Sequence, residues 1–278
     1  MEPEIWFTEK HTDFAGITFK VNTVLYTGKS KFQRIDVLDT PEYGRVLLLD
    51  GLIMFTERDE FVYHEMIAHV PLFSHPHPED VLVIGGGDGG AIRELAKHTY
   101  LKRIDQIELD KEVIRIAKEF FPTLSSGYKD NRVNVNIGDG SEFVRKTNQR
   151  YDVVIVDSTD PVGSAECLFE EDFYGCIYNI LKEDGFISIQ SESPFCDMNW
   201  TSAAVKNLKK VFPIVKTYLC FIPTYPSGMW SFTIASKIYD PEDIRNERFK
   251  QMGFDLKYYN KEIHKACFAL PNFVRSKL

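Results

Sequence analysis

The chain has 278 residues, of which 44% are hydrophobic and 27% are charged, and its formal net charge at pH 7 is -8. This length can bury a sizeable core, and the composition is that of an ordinary globular protein, which excludes disordered and fibrous classes. The negative charge argues against a nucleic-acid partner, because binding to phosphate backbones needs clustered Lys and Arg.

The five cysteines are scattered and include no Cys-x-x-Cys pair. This usage predicts neither a disulfide framework nor a zinc site, and it favours a reducing compartment. The first residues lack the basic and then apolar pattern of a signal peptide, and no apolar run approaches the roughly 18 residues of a membrane span. We therefore expect a cytoplasmic protein that does not associate with membranes.

The first part of the chain consists of short segments in which apolar and polar residues alternate, at residues 17–21, 32–37 and 46–49. Turn residues such as Asp50-Gly51 bound them, which is typical of antiparallel hairpins. Near residue 58 the pattern changes without a flexible linker. The sequence therefore predicts two tightly packed domains, a small β domain over residues 1–58 and a larger domain over residues 59–278.

The larger domain alternates predicted helices with predicted buried strands. A helix over residues 60–70 ends at a break rich in proline and histidine over residues 71–78. The strands that follow are predicted at residues 81–84, 104–108, 133–137, 153–156, 186–190, 215–221 and 229–236. The helices between them are predicted at residues 91–98, 111–121, 141–147, 170–181 and 199–212.

The last two predicted strands are joined by residues 222–228, a link too short for a helical crossover, so this pair should be antiparallel. The predicted fold class is α/β. Its seven-stranded, mostly parallel sheet with a C-terminal antiparallel hairpin resembles the Rossmann-like fold of class I methyltransferases.

Acidic residues recur where the predicted strands end. In an open parallel sheet, ligands bind at the carboxyl ends of the strands. A site lined by several carboxylates should take a ligand with several positive charges. These acids are Asp88, Glu108, Asp139, Asp157, Asp160 and Glu192.

A glycine-rich loop over residues 85–90 follows a buried strand and opens a helix, and Glu108 ends the next strand. Glycines let the backbone turn sharply and approach a ligand, and an acid at the second strand can accept both ribose hydroxyl protons. A purely structural turn would not explain Asp88 inside the loop. Because a carboxylate disfavours the pyrophosphate of NAD or ATP, the loop predicts a nucleoside that carries a cation, such as a sulfonium.

Three other motifs each allow two interpretations. Asp139, between two glycines, either forms a tight turn or contacts an adenine amino group. Asp157 and Asp160 lie three residues apart in a turn, where Asp160 either helps the chain turn before a proline or, with Asp157, binds an ammonium group whose proton one acid removes. Tyr225, between two prolines, either has only a packing role or lines an apolar channel for an aliphatic chain.

The histidines do not predict a metal site. His64 and His69 are five residues apart, which on a helix rotates them by about 140° from each other, so they cannot share a metal ion. His75 and His77 fall in the predicted break, and we expect no acidic or cysteine partner near them.

The combination of these motifs resembles the spermidine synthases, the aminopropyltransferases of polyamine synthesis, over essentially the whole chain. Ordinary methyltransferases lack two of the matching segments, residues 56–61 with 63–66 and residues 223–228. The segments are residues 49–51, 56–61 with 63–66, 85–90, 138–140, 157–161 and 223–228.

The resemblance implies transfer of an aminopropyl group from decarboxylated S-adenosylmethionine to putrescine, giving spermidine and 5′-methylthioadenosine. The donor is a co-substrate, and no metal or other cofactor is implied. The expected partners are these small molecules, with no nucleic acid and no membrane. The β domain is expected to contribute to the substrate pocket and to join copies of the chain into a homodimer or homotetramer.

The resemblance also assigns roles to individual residues. Asp157 is the expected proton acceptor, and nearby acids should raise its pKa. The residues expected at the donor are Gln33, Asp88, Glu108, Asp139, Gly140 and Ser164. Those expected at the amine are Tyr63, His64, Asp88, Asp157, Ser158, Thr159, Asp160 and Tyr225, with Trp6 and Glu192 at the periphery.

Two positions depart from the family pattern. Ser164 stands where members usually have proline, which predicts a looser segment over the nucleoside, and Met54 stands where many have glutamine. Two other functions remain as alternatives. One is a diamine N-methyltransferase that uses S-adenosylmethionine, and the other is a polyamine-binding protein without catalytic activity.

Overall fold

The structure, a computed structural model, describes residues 4–158, 170–250 and 252–278. At the N-terminal end, two strands pair antiparallel and the next four form an antiparallel sheet in sequential order. Asp50 and Gly51 both have positive φ angles, 50° and 85°, in the two-residue turn between the last two strands. These strands are β1 (Ile5–Lys10), β2 (Gly16–Val21), β3 (Thr23–Lys29), β4 (Arg34–Thr40), β5 (Gly44–Leu49) and β6 (Leu52–Thr56).

A second sheet has seven strands in the order β12-β13-β11-β10-β7-β8-β9. Strands β7 to β11 are parallel to one another, and β13 runs antiparallel to both of its neighbours. This arrangement confirms the predicted fold class. The strands are β7 (Asp80–Gly85), β8 (Arg103–Glu108), β9 (Val133–Ile137), β10 (Tyr151–Asp157), β11 (Leu181–Gln190), β12 (Ile214–Phe221) and β13 (Met229–Ser236).

Helices cover both faces of the seven-stranded sheet, because alternate strand residues point to opposite sides. Val81 and Val83 pack with the first and second helices, whereas Leu82 and Ile84 pack with the fifth and sixth. The helices are α1 (Glu60–Ser74), α2 (Gly90–Ala96), α3 (Lys111–Phe120), α4 (Gly140–Lys146), α5 (Glu171–Ile180), α6 (Met198–Val211), α7 (Asn246–Lys250), α8 (Lys261–Ala266) and α9 (Asn272–Arg275), with a 3₁₀ turn at Leu124–Lys129.

The small sheet packs directly on α3 of the larger unit. Val37, Leu47 and Phe55 share a buried apolar cluster with Ile116 and Phe121. This contact places β4 and β5 beside the carboxyl ends of β7 and β8. The N-terminal strands can therefore contribute residues to a site at that edge.

In the larger domain, two of the predicted boundaries are wrong by more than two residues. Helix α1 was expected to end at Val70, but it continues through Pro71 to Ser74. Nearly every residue of α1 is buried, so tertiary packing compensates for the backbone hydrogen bond that Pro71 removes. Strand β11 begins at Leu181 rather than Phe186, because Leu181 already pairs with Tyr151 of β10.

None of the helices in the described ranges is long and apolar enough to cross a membrane.

Glu65 of α1 joins the C-terminal segment to the core. Its carboxylate is 1% exposed and accepts the backbone N–H groups of Lys257, Tyr258 and Tyr259, each at 2.8 Å. Three charge-assisted hydrogen bonds to one carboxylate make this residue a strong polar link between α1 and residues 257–259.

We predict that Glu65→Ala lowers the free energy of unfolding by about 3 kcal/mol or more, because it leaves three buried N–H groups without an acceptor. Thermal melting at one protein concentration measures the change. The matched control is Glu142→Ala, which removes an exposed carboxylate paired with Lys146 and should change stability by less than about 0.5 kcal/mol. Equal melting temperatures for the two variants would contradict this assignment.

Candidate active site

A cavity of about 460 Å³ opens at the carboxyl ends of β7, β8, β9 and β10, next to the small sheet. This is the edge at which ligands bind in open parallel sheets. The structure therefore brings together residues that are far apart in sequence. Of the residues predicted for the site, those that line the cavity are Gln33, Tyr63, His64, Asp88, Glu108, Asp139, Gly140, Asp157, Ser158 and Tyr225.

Two predicted residues in the described ranges, Trp6 and Glu192, are not among those that line it. Thr159, Asp160 and Ser164 lie outside the described residues. Trp6 is 55% exposed on β1, where its indole N–H donates to Glu4. Glu192 follows β11, and its carboxylate accepts a hydrogen bond from the amide of Gln190.

The glycine-rich loop lies against the end of β10. Gly85 has a φ angle of 84°, and a Cβ atom there would lie 2.1 Å from the carbonyl oxygen of Asp157. The N–H of Gly86 donates to that same carbonyl at 2.8 Å. Only glycine permits this approach, which brings Asp88 and Asp157 into one cavity.

Asp157 ends the central strand β10 and is enclosed by its neighbours. Its Oδ1 accepts the hydroxyl of Tyr63 at 2.7 Å, and its Oδ2 is buried with no hydrogen-bond partner in the described ranges. Burial, with the nearby carboxylate of Asp88, raises the pKa of Asp157 to about 6. The direction agrees with the expectation from sequence.

Asp88 and His64 form an ion pair inside the cavity. His64 Nε2 lies 3.3 Å from Asp88 Oδ1, and Nδ1 lies 2.7 Å from Glu60 Oε2. Although burial by itself lowers the pKa of His64, the carboxylates of Asp88 and Glu60 raise it to about 10. His64 is therefore an imidazolium whose Nδ1–H donates to Glu60 and whose Nε2 faces Asp88 in an ion pair.

Glu108 ends β8 and is 8% exposed. Its Oε1 accepts the backbone N–H of Asp110 at 2.7 Å. Burial raises the pKa of Glu108 to about 7, and the carboxylates of Asp110, Asp88 and Asp157 add to this effect. Gln33 is held beside Glu108, because its amide donates to Asp110 at 3.1 Å.

Asp139 begins α4 as its N-cap. Its Oδ1 accepts the backbone N–H groups of Ser141 and Glu142, at 2.7 and 3.1 Å. This supports the turn-forming interpretation of the Gly-Asp-Gly motif. Both Asp139 and Gly140 also line the cavity, so the two interpretations are compatible.

One wall of the cavity is aromatic. Tyr225 contacts the rings of Tyr63 and Trp230, with centroids 6.0 and 4.7 Å apart, and its hydroxyl donates to the carbonyl of Met54. Asp59 holds the link that carries Tyr225, because it accepts the backbone N–H and the hydroxyl of Thr224, at 3.0 and 2.7 Å. The rigid wall suits an aliphatic chain.

The sequence reasoning missed two residues behind the cavity. Glu60 contacts His64, and the amide of Gln190 donates to the carbonyl of Ser158 at 3.3 Å. The spacing could have revealed Glu60, because residues four apart on a helix share a face. Gln190 had no comparable signal, since its contact depends on the pairing of β10 with β11.

Two groups of side chains in the described part of the chain are close enough to share a metal ion. They are His64, Asp88 and Asp157, and His75, Asp152 and Asp184. The second group corrects the expectation that His75 has no acidic partner: its Nε2 lies 3.5 Å from Asp184 and 3.9 Å from Asp152. That contact is tertiary, so local sequence could not reveal it.

Neither histidine offers a free lone pair to a metal ion. Both nitrogens of the His64 imidazolium face carboxylates. Nδ1 of His75 accepts the N–H of His77 at 3.1 Å, which places the proton of the neutral ring on Nε2, facing the acids. The donor chemistry favours hydrogen bonding at both places, and the absence of a metal cofactor stays a prediction.

Comparisons with known proteins cover almost the entire chain. Residues 60–245 match the family model described as spermine/spermidine synthase domain, and residues 5–57 match the one described as spermidine synthase tetramerisation domain. The polyamine aminopropyltransferase of Bacillus mycoides (strain KBAB4) is 49% identical over 98% of this chain and 98% of its own length. That of Caldicellulosiruptor saccharolyticus is 50% identical over 99% and 98%.

Two solved structures are also similar. A spermidine synthase in complex with the transition state analogue AdoDATO has a TM-score of 0.95 and 48% identity, covering 98% of this chain and 94% of that one. The spermidine synthase of Thermotoga maritima has a TM-score of 0.93 and 46% identity, with coverage of 98% and 93%.

The raised pKa of Glu108 predicts a pH-dependent effect of Glu108→Gln on stability. The carboxyl holds its proton up to about pH 7 in the folded chain, against about 4.5 for an unperturbed glutamate. The Glu108 carboxyl therefore contributes its full stabilisation of the fold below pH 4.5, and this stabilisation is lost as the pH rises through 7. The amide does not ionise, so the variant should gain up to about 3 kcal/mol over the wild type at pH 8.

Thermal melting of the ligand-free protein at pH 4 and pH 8 measures this effect. The difference in melting temperature between Glu108→Gln and wild type should be small at pH 4 and should grow until about pH 7. Glu142→Gln, an exposed carboxylate, is the control and should show no such growth. A difference that is the same at both pH values would contradict the assigned titration.

Proposed function

Because the chain belongs to the spermine/spermidine synthase family, we propose that it moves the aminopropyl group of decarboxylated S-adenosylmethionine to putrescine. The products are spermidine and 5′-methylthioadenosine. The observation that carries the proposal is that Asp88, Glu108 and Asp157 line one cavity. Their mutual repulsion is relieved when cations enter, and both substrates are cations. The donor is a co-substrate, and the chemistry requires no other cofactor.

In this proposal the donor lies along the carboxyl ends of β7 to β9. Glu108 accepts the ribose hydroxyl protons, Asp88 binds the ammonium of the aminopropyl group, and Gln33, Asp139 and Gly140 contact the nucleoside. The position of Glu108 at the end of the second strand of the nucleoside-binding half supports its role.

Asp157 is the proposed proton acceptor. An alkylamine has a pKa of about 10.4, so it must lose a proton before its nitrogen can attack. Raising the pKa of Asp157 from 3.8 to about 6 reduces the free-energy cost of that transfer by about 3 kcal/mol. Tyr63 holds Oδ1, which leaves the buried Oδ2 to take the proton.

The reaction then forms one bond and breaks one. The amine nitrogen attacks the aminopropyl carbon that is attached to sulfur, and the C–S bond breaks with its electron pair remaining on sulfur. The positive charge of the sulfonium therefore moves to the nitrogen. Holding nitrogen, carbon and sulfur in line contributes the remaining acceleration.

We assign the other predicted residues to the amine. Tyr63, His64, Ser158 and Tyr225 line the cavity and can border the aliphatic chain. The roles of Thr159, Asp160 and Ser164, which lie outside the described residues, stay predictions from the family pattern, as do the peripheral roles of Trp6 and Glu192.

We also propose that residues 1–58 form a domain that joins copies of the chain, and that residues 59–278 form the catalytic domain. The match of residues 5–57 to the tetramerisation model supports this division. The exposed apolar side chains of Ile5, Val24 and Leu25 are available for such a contact. The scattered cysteines support a proposed cytoplasmic location.

Product analysis tests the function. The protein is mixed either with decarboxylated S-adenosylmethionine or with S-adenosylmethionine and, in turn, with putrescine, cadaverine, agmatine and spermidine. We expect methylthioadenosine and spermidine with putrescine. A methylated diamine formed from S-adenosylmethionine would establish the methyltransferase alternative, and amine binding without any product would establish the non-catalytic one.

Asp157→Asn should lower turnover by a factor on the order of 10² or more, because the amide cannot accept the amine proton. Its affinity for methylthioadenosine should stay within about twofold of wild type, because the fold and the nucleoside contacts remain. Steady-state kinetics and calorimetric titration measure the two quantities. The control is Asp243→Asn, at an exposed position, which should retain turnover. Near-normal turnover of Asp157→Asn would remove the residue from its role.

A further inference from the structure

Glu60 and Arg93 lie behind the cavity and are not among the residues that line it. The guanidinium of Arg93 donates to both carboxylate oxygens of Glu60, at 2.8 Å each. Oε2 of Glu60 also faces Nδ1 of His64 at 2.7 Å. This bidentate geometry fixes the plane of the carboxylate, and with it the direction in which the imidazolium points.

A second carboxylate anchors Arg93 from the other side. Nε of Arg93 donates to Glu94 at 2.8 Å, and the other oxygen of Glu94 faces His69 at 3.0 Å and Lys97 at 2.6 Å. Glu94 and His69 are fully buried. Arg93 therefore cannot rotate without breaking a network that reaches into the core between α1 and α2.

The last glycine of the glycine-rich loop makes room for the imidazolium. A Cβ atom at Gly90 would lie within 2.4 Å of three atoms of the His64 ring. The N–H of Gly90 also donates to Asp88 Oδ1 at 2.6 Å, the same oxygen that faces His64. Oδ1 of Asp88 thus contacts both Gly90 and His64, whereas Oδ2 accepts no hydrogen bond from the described part of the chain.

We propose that Glu60 and Arg93 are positioning residues for donor binding, which hold His64 against Asp88 so that Asp88 presents Oδ2 to the ammonium of the aminopropyl group. The charged groups around His64 are Glu60 on α1, Arg93 on α2, Asp88 in the loop and Asp157 at the end of β10. This inference rests on the proposed function for the identity of the donor. Its alternative is a network that only joins α1 to α2.

Two ligands that differ by the aminopropyl group separate these roles. Decarboxylated S-adenosylmethionine carries the ammonium that Asp88 would bind, whereas methylthioadenosine has the same nucleoside without it. Calorimetric titration gives both affinities for wild type and Glu60→Gln. We expect the variant to bind the donor about tenfold more weakly, the scale of one hydrogen bond to a charged group, and methylthioadenosine within about twofold of wild type.

Glu65→Gln is the matched control, because Glu65 is on the same helix, is also buried and contacts the C-terminal segment instead. It should leave the ratio of the two affinities unchanged. A purely structural role for Glu60 predicts that both affinities fall together, and that result would overturn the proposal. Unchanged affinities for both ligands would overturn it as well.

Arg93→Lys keeps a positive charge but loses the bidentate contact with Glu60. If Glu60→Gln does not fold, the affinities of Arg93→Lys are measured instead. We expect the same selective loss of donor affinity.

Histidine-selective NMR is a second readout, since the chain has only seven histidines to resolve. His64 should stay protonated at pH 8 in the wild type and titrate at a lower pH in the variants, and an unchanged titration would refute the positioning role.

The failure of this role and the failure of the proposed function can be distinguished. If wild type forms no methylthioadenosine but the affinity ratio still falls in Glu60→Gln, the positioning role stands and the proposed reaction fails. If wild type turns over normally and the ratio is unaffected, the positioning role alone fails.

Discussion

The structure depends on holding several carboxylates close together in a partly buried cavity. Two unit charges 4 Å apart interact by about 4 kcal/mol at the effective dielectric constant of a protein surface, so three such groups are costly without compensation. The parallel strands bring them together, because β7, β8 and β10 end at one edge of the sheet. The glycine-rich loop brings them closer, because Gly85 lets the backbone contact the end of β10.

The protein compensates for this repulsion differently at each carboxylate. Asp88 is paired with a buried imidazolium, which lowers its pKa despite burial. At Asp157, burial and the carboxylate of Asp88 outweigh the nearby imidazolium of His64, and the pKa rises to about 6. Burial raises the pKa of Glu108 to about 7. The ligand-free site is therefore ionised unevenly, with Asp88 the most firmly charged. This difference in ionisation suits a site in which Asp88 stays charged and binds a cation, while Asp157 exchanges a proton.

Much of this arrangement could be predicted from sequence, because it follows from local patterns. The apolar strand runs, each followed by glycine or acid, predict the sheet, the cavity edge and the acids Asp88, Glu108, Asp139 and Asp157. The family resemblance, rather than any local pattern, predicted Gln33, Tyr63, His64 and Ser158. What could not be predicted depends on contacts between distant segments. Pro71 inside α1 is compatible with a helix only because that helix is buried on all sides, and such a helix has no amphipathic stripe to mark its end. The acids beside His75 come from β10 and β11.

The same carboxylates act in opposite directions at two stages of the proposed reaction. Before attack, their field favours the protonated amine and so opposes the loss of a proton to Asp157. During attack, positive charge moves from sulfur to the amine nitrogen, and a carboxylate near that nitrogen stabilises the developing charge. A base with a pKa well above neutrality would already carry a proton before the amine binds, whereas an aspartate with its usual pKa would remove the amine proton less readily. An aspartate with a pKa of about 6, beside the firmly ionised Asp88, is a compromise between these demands. The network behind His64 matters for the same reason, because it keeps Asp88 ionised while Asp157 takes up the proton.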